Sequence, residues 1–181
     1  MSDPVLLAVP ANRARWSDLV TLFQRGVVVP LADPRSVTDF LTADLGLGPD
    51  YVQRMIATVL VDSMVVDDLD LAQLRPGSTL TLSAAMPGLV GATLRRSGYY
   101  AAMRAEVNWR ASDRDDADRG DRDRAHTITV KLFNLIILGV APAILRRGIV
   151  LTHADAVGVL GPDTALQRIP GDREILLQVG A

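Results

Sequence analysis

The most regular alternation of apolar and polar positions lies between Thr58 and Leu82, TVLVDSMVVDDLDLAQLRPGSTLTL. Val59, Leu60 and Val61 form a continuous apolar run, which predicts a strand buried on both faces. Asp62-Ser63 suits a turn, because Asp tolerates turn backbone geometry and hydrogen-bonds nearby amides. Met64 to Val66 resumes an extended run, and Asp67, Asp68 and Asp70 mark a polar crossing. Pro76-Gly77 is a turn signal, and STLTLSA alternates as a half-buried strand does.

Upstream, Pro4 and Pro10 bracket an apolar VLLAV that predicts a short edge strand. The stretch 17–31, SDLVTLFQRGVVVPL, has two readings. Ser17 can cap a short helix that Gly26 stops before VVV. Alternatively VTLF and VVVPL are two strands joined at Gln24-Arg25-Gly26, which the β-branched residues on both sides favour slightly. From 34 to 56 the pattern is helical: Val37, Phe40, Leu41 and Leu45 share a face after a Ser36 or Asp33 cap, and Pro49 opens a second helix carrying Tyr51, Val52, Met55 and Ile56.

Downstream, PGLVGATLRRSG is rich in small residues, and Tyr99 to Trp109 predicts a helix. Eleven of the sixteen residues 110–125 are Arg or Asp, which predicts a solvated loop. HTITVKLFNLIIL alternates and then turns wholly apolar, predicting a long strand whose 130–138 part needs covering. Gly139 and Pro142 then open a short helix, PAILRR, followed by a strand GIVL, a helix near ADAVGVL and a final strand EILLQV. One echo is visible: LFQRGVVV at 22–29 resembles ILRRGIVL at 144–151.

Composition narrows this picture. In 181 residues the hydrophobic fraction is 49% but aromatics supply only 4%, so the core must be aliphatic. The net charge of −2 gives no broad attraction to nucleic acid. Lys131 is the one lysine against eighteen arginines, a bias expected of a GC-rich bacterial genome. The absence of cysteine excludes disulfides, thiol catalysis and Cys-ligated metals. No basic leader followed by a long apolar run opens the chain, and no run reaches eighteen apolar residues, so a cytoplasmic protein with no membrane partner is expected.

The order of elements from 20 to 83 resembles a β-grasp domain: hairpin, helix, strand, strand. The stretch VLVDSMVVDDLDLAQLRPGSTLTL is similar to the corresponding region of ubiquitin-like sulfur carriers, the molybdopterin-synthase small subunit and the thiamine-pathway carrier. There an acidic crossing leads to a Leu-x-x-Gly-Asp turn and the last strand; here Leu74-Arg75-Pro76-Gly77-Ser78 stands at that turn. Those carriers end in Gly-Gly just after the last strand, whereas this chain continues for about a hundred residues and separates Gly88 from Gly91 by Leu89-Val90. The resemblance therefore implies the scaffold and not the carrier chemistry. The fold class expected is α+β: a β-grasp-like mixed sheet with packing helices over 1–109, a charged loop over 110–125, and an α/β extension over 126–181 on the same sheet.

No motif demands catalysis. Gly88, Gly91, Arg95 and Arg96 could bind an anion, but their spacing fits neither a phosphate loop nor a dinucleotide fingerprint, and close packing is the simpler reason for small residues. Tyr99 and Tyr100 offer one core and one surface ring. His126 and His153 lack a defined third ligand even with Asp155 nearby, so no metal is expected. The interspersed arginines of 113–123 oppose calcium. Without a Gly-x-Ser-x-Gly elbow, a serine nucleophile has no support. The function expected is a non-enzymatic protein-interaction or assembly module, cofactor-free and self-associating, with Leu89, Val90, Tyr99, Tyr100, Leu132 and Phe133 at the interface. The alternatives are a small-ligand or anion-binding enzyme component using Gly88 to Arg96, or a ubiquitin-like carrier released by trimming near Gly88 or Gly91.

Overall fold

The computed structural model describes residues 3–96, 98–100, 126–162 and 164–180. The predicted helix from Tyr99 to Trp109 falls outside the described residues beyond Tyr100, as does the charged stretch 110–125. The described residues form an α+β fold around one mixed eight-stranded sheet, with a two-stranded ribbon beside it.

The first half supplies β1 (Val5–Pro10), α1 (Trp16–Arg25), β2 (Val27–Pro30), β3 (Arg35–Ser36), α2 (Val37–Asp39) with a π-helical turn over Phe40–Asp44, and α3 (Pro49–Met55). Next come β4 (Thr58–Val61), β5 (Met64–Val65), β6 (Gln73–Leu74), β7 (Thr79–Ser83) and α4 (Gly88–Leu94). The remainder supplies β8 (Thr127–Phe133), α5 (Ile136–Arg147), β9 (Ile149–Leu151), α6 (His153–Leu160), α7 (Thr164–Gln167) and β10 (Ile175–Gly180). The main sheet runs β1-β10-β9-β2-β8-β7-β4-β5, and β3 pairs with β6 in the ribbon. β8 lies between β2 and β7, so strands from both sides of residues 101–125 interleave.

Burial alternates strictly along the central strands. Val27 and Val29, Ile128, Val130 and Leu132, Ile149 and Leu151, and Ile175 and Leu177 are all buried, while the residues between them keep partial exposure. One face of the sheet is therefore the core face. Against it lie α1 through Leu19, Leu22 and Phe23, and α5 through seven buried residues including Ile136, Val140 and Ile144. Full burial of each Val, Leu, Ile or Phe side chain among them contributes about 1.5–3 kcal/mol.

In the stretch from Thr58 to Leu82 the predicted strands and turn are present, although Leu60 keeps partial exposure where burial on both faces was expected. β4 and β5 form a hairpin whose turn residues Asp62 and Ser63 both take positive φ, and Asp62 Oδ1 accepts a hydrogen bond from the Thr79 amide. The edge strand at VLLAV is also present: β1 is the outermost strand, parallel to β10.

Two expectations are corrected. Residues 17–31 form no hairpin; α1 is followed directly by β2. The β-branched residues after Gly26 are a strand, but those before it lie on a helix whose apolar positions 19, 22 and 23 have helical spacing. The long strand expected through 138 ends at Phe133. Asn134 turns the chain at φ 59°, a conformation Asn tolerates better than most residues, and α5 starts at Ile136 and runs through Pro142. A wholly apolar run does not distinguish a buried strand from a buried helix. Here burial outweighs the local cost of a helical proline.

The echo at 22–29 and 144–151 marks a structural repeat. In each copy a helix ends in Arg-Gly, the glycine amide bonds four residues back, and a strand follows. Gly26 and Gly148 have φ of +116° and +114°. The two strands that follow, β2 and β9, are antiparallel neighbours at the centre of the sheet, with Val28 opposite Val150.

Candidate interaction surface

The surface is set by how β7 and β8 end. They are parallel, with Ser83 opposite Phe133, so both leave the sheet at the same end. There Asn134 Nδ2 donates to Ser83 Oγ at 2.9 Å and ties the two exits together. Residues 84–87 lead from β7 into α4, and Leu135 leads from β8 into α5.

Along α4, Leu89 and Val90 are 71% and 70% exposed. Gly91 is required by packing: a Cβ there would lie 2.1 Å from the Met86 carbonyl oxygen. Gly88 has φ +81° and open space around it. Thr93 Oγ1 donates to the carbonyls of Leu89 and Val90. After α4 the chain is anchored by Arg96. Its amide donates to the Ala57 carbonyl at 2.8 Å. Its guanidinium donates to the Val52 carbonyl at 3.1 Å and to the Ile56 carbonyl at 3.0 and 3.3 Å. These carbonyls close the end of α3, where an arginine also complements the helix dipole. Burial lowers the Arg96 pKa, and the Asp67 charge opposes that shift.

Of the four residues considered for an anion, Gly91 accommodates a close backbone approach and Gly88 begins α4 at positive φ. Arg96 anchors the segment to α3, and it lines a cavity of about 330 Å³ together with Arg95, Arg54 and Gln53. α4 spans only seven residues. A larger open trough of about 740 Å³ lies beside Arg96, bordered by Thr38, Thr42, Asp67, Asp68 and Asp70. Asp68 Oδ1 accepts from the amides of Asp70 and Leu71, which holds the acidic crossing as a turn.

Of the residues expected at an interface, Tyr99 is 93% exposed and Tyr100 36%, their rings edge to face at 5.2 Å, so neither is the core ring that was expected of the pair. Leu132 is corrected: it is fully buried on the core face of β8 and offers no area to a partner. Phe133 is half-buried at the strand end. Within the apolar 130–138 run expected to need covering, Leu135 and Leu138 are 72% and 61% exposed. Leu135 at the cap of α5 and Leu138 in its first turn stand three residues apart, the spacing of one helix face.

The histidines lie apart from this surface. His126 Nδ1 is 3.3 Å from the Ala32 carbonyl, and His153 Nε2 is 3.2 Å from the Leu166 carbonyl. Asp155 pairs with Arg25 and accepts from Thr152 Oγ1. Among the described residues no group of three or more potential ligands could hold a metal, and no helix is long and apolar enough to cross a membrane. Comparison with known proteins gives no match: no protein family, no curated protein and no solved structure matches the chain.

Proposed function

We propose that this protein is a non-enzymatic interaction module of the cytoplasm that self-associates through the end of the sheet where β7 and β8 exit. One observation carries the reading: the segments leaving these two adjacent parallel strands expose Leu89 and Val90 on one side and Leu135 and Leu138 on the other. Large aliphatic side chains exposed to this degree on neighbouring segments are what an interface uses and a solvated face avoids. Tyr99 and Tyr100, just beyond Arg96, add the residue type most enriched at interfaces.

Three hydrogen bonds hold the Arg96 guanidinium on the carbonyls at the end of α3, which weighs against the anion-binding alternative. We also read the strands β2, β8, β7, β4 and β5 as the β-grasp-like part. The β4–β5 hairpin and the crossing to β7 support that reading, but β8 rather than an N-terminal hairpin strand stands beside β2.

Light scattering of the full-length protein across a concentration series tests the proposal. The native chain is expected to form an oligomer that Leu89→Glu with Val90→Glu converts to a monomer, while its cooperative melting persists. A native chain that stays monomeric at high micromolar concentration overturns it.

A further inference from the structure

A second feature lies away from this surface, on the β1 side of the sheet. A cavity of about 370 Å³ opens between the start of α1 and the second half of α5, with Ala14, Trp16, Leu19, Pro142 and Leu145 on its wall. Its size falls at the lower end of the range for small-molecule sites, about 300–1,000 Å³. Arg146 sits on its rim and also borders an adjoining trough of about 530 Å³ against β1. No acidic residue lines either space.

The two arginines that end α5 differ in employment. Arg147 donates to the Pro30 carbonyl and pairs with Asp44. Arg146 is exposed and makes no hydrogen bond or ion pair with the described residues. A lone guanidinium beside an apolar cavity presents a planar fork that matches one carboxylate, with the attached hydrocarbon inside. No second cation borders either space to favour a doubly charged phosphate.

We infer that this cavity binds a small monocarboxylate with an apolar body, its hydrocarbon against Trp16, Leu19 and Leu145 and its carboxylate on Arg146. Trp16 is 38% exposed at the wall and reports occupancy by its emission. The chain has two tryptophans, so the measurement uses the Trp109→Phe variant of the full chain. Octanoate, below its micelle concentration, is expected to change Trp16 emission saturably. 1-Octanol, with the same chain and no charge, should bind at least about tenfold more weakly, the weight of a charge-assisted hydrogen bond. Arg146→Gln should weaken octanoate by a similar factor and leave octanol unchanged. Ala14→Phe, which fills the cavity, should abolish both responses while the protein still melts cooperatively. No saturable response at low millimolar octanoate, equal binding of octanoate and octanol, or an Arg146→Gln variant that binds octanoate as the native chain does would each overturn the assignment.

Discussion

The unit from Trp16 to Asp44 and the unit from Ile136 to Leu160 use the same devices in the same order. A helix ends in Arg-Gly, a short strand follows, and a Ser or Thr caps the next helix by accepting the amide three residues on. That amide belongs to Asp39 after Ser36 and to Asp155 after Thr152. The arginines even reach across reciprocally, Arg25 to Asp155 in the second unit and Arg147 to Asp44 in the first. The surroundings differ. Asp44 has an 11% exposed side chain, faces Arg35 as well as Arg147, and lies near Phe40, over whose ring Arg147 stands at 5.9 Å. The Arg25–Asp155 pair is open to water, with side chains 63% and 28% exposed. α1 buries a single face, whereas α5 buries most of its circumference, and its Gly139 abuts the Tyr51 hydroxyl from α3. The repeat fixes local geometry, and the neighbours decide how much each copy of a device contributes.

The largest effect should come from the shared glycines. A Cβ at Gly26 would meet Thr129 Cγ2 at 2.8 Å, and one at Gly148 would meet Leu176 Cδ1 at 2.9 Å, each in a backbone conformation that disfavours side chains. Gly26→Ala and Gly148→Ala should each destabilise by on the order of 3 kcal/mol in urea unfolding, from strain and overpacking together. A difference of more than about 2 kcal/mol between them, beyond the usual context spread, would break the equivalence of the two turns.

The ion pairs should separate the units. Asp44→Ala leaves Arg35 and Arg147 facing each other in a poorly hydrated site and should cost about 3 kcal/mol. Asp155→Ala should cost less than about 1 kcal/mol, because water screens its pair. Equal losses in urea titrations would sink the claim that burial distinguishes them. The caps should again be alike: Ser36→Ala and Thr152→Ala should each lose about 1 kcal/mol, and melting temperatures of the two variants check this.

The smallest effect concerns α5 and α3. Burial raises the Tyr51 pKa above its usual 10.0. The unfolded chain therefore releases this proton at lower pH than the folded one, and the stability contribution falls as pH rises above the unfolded value. Stability measured from pH 9 to 11 should fall less steeply for Tyr51→Phe than for the native chain. Identical slopes would show that the hydroxyl is not desolvated against α5.

Sequence by itself determined what depends on neighbours along the chain. The β4–β5 turn at Asp62-Ser63, the alternation of β7 and the edge strand β1 were legible, and the helix cap was narrowed to Ser36 or Asp33, because turn chemistry and period-two burial act within a few residues. Tertiary structure decided the rest. Leu135-Ile136-Ile137-Leu138 is apolar at every position, so only packing against the sheet made it a helix and turned two of its leucines outward. Arg95 and Arg96 look interchangeable in sequence, yet the position of α3 gave the Arg96 guanidinium three hydrogen bonds to two backbone carbonyls. The place of β8 between β2 and β7 joins residues about a hundred positions apart, and no local pattern encodes a partner at that distance.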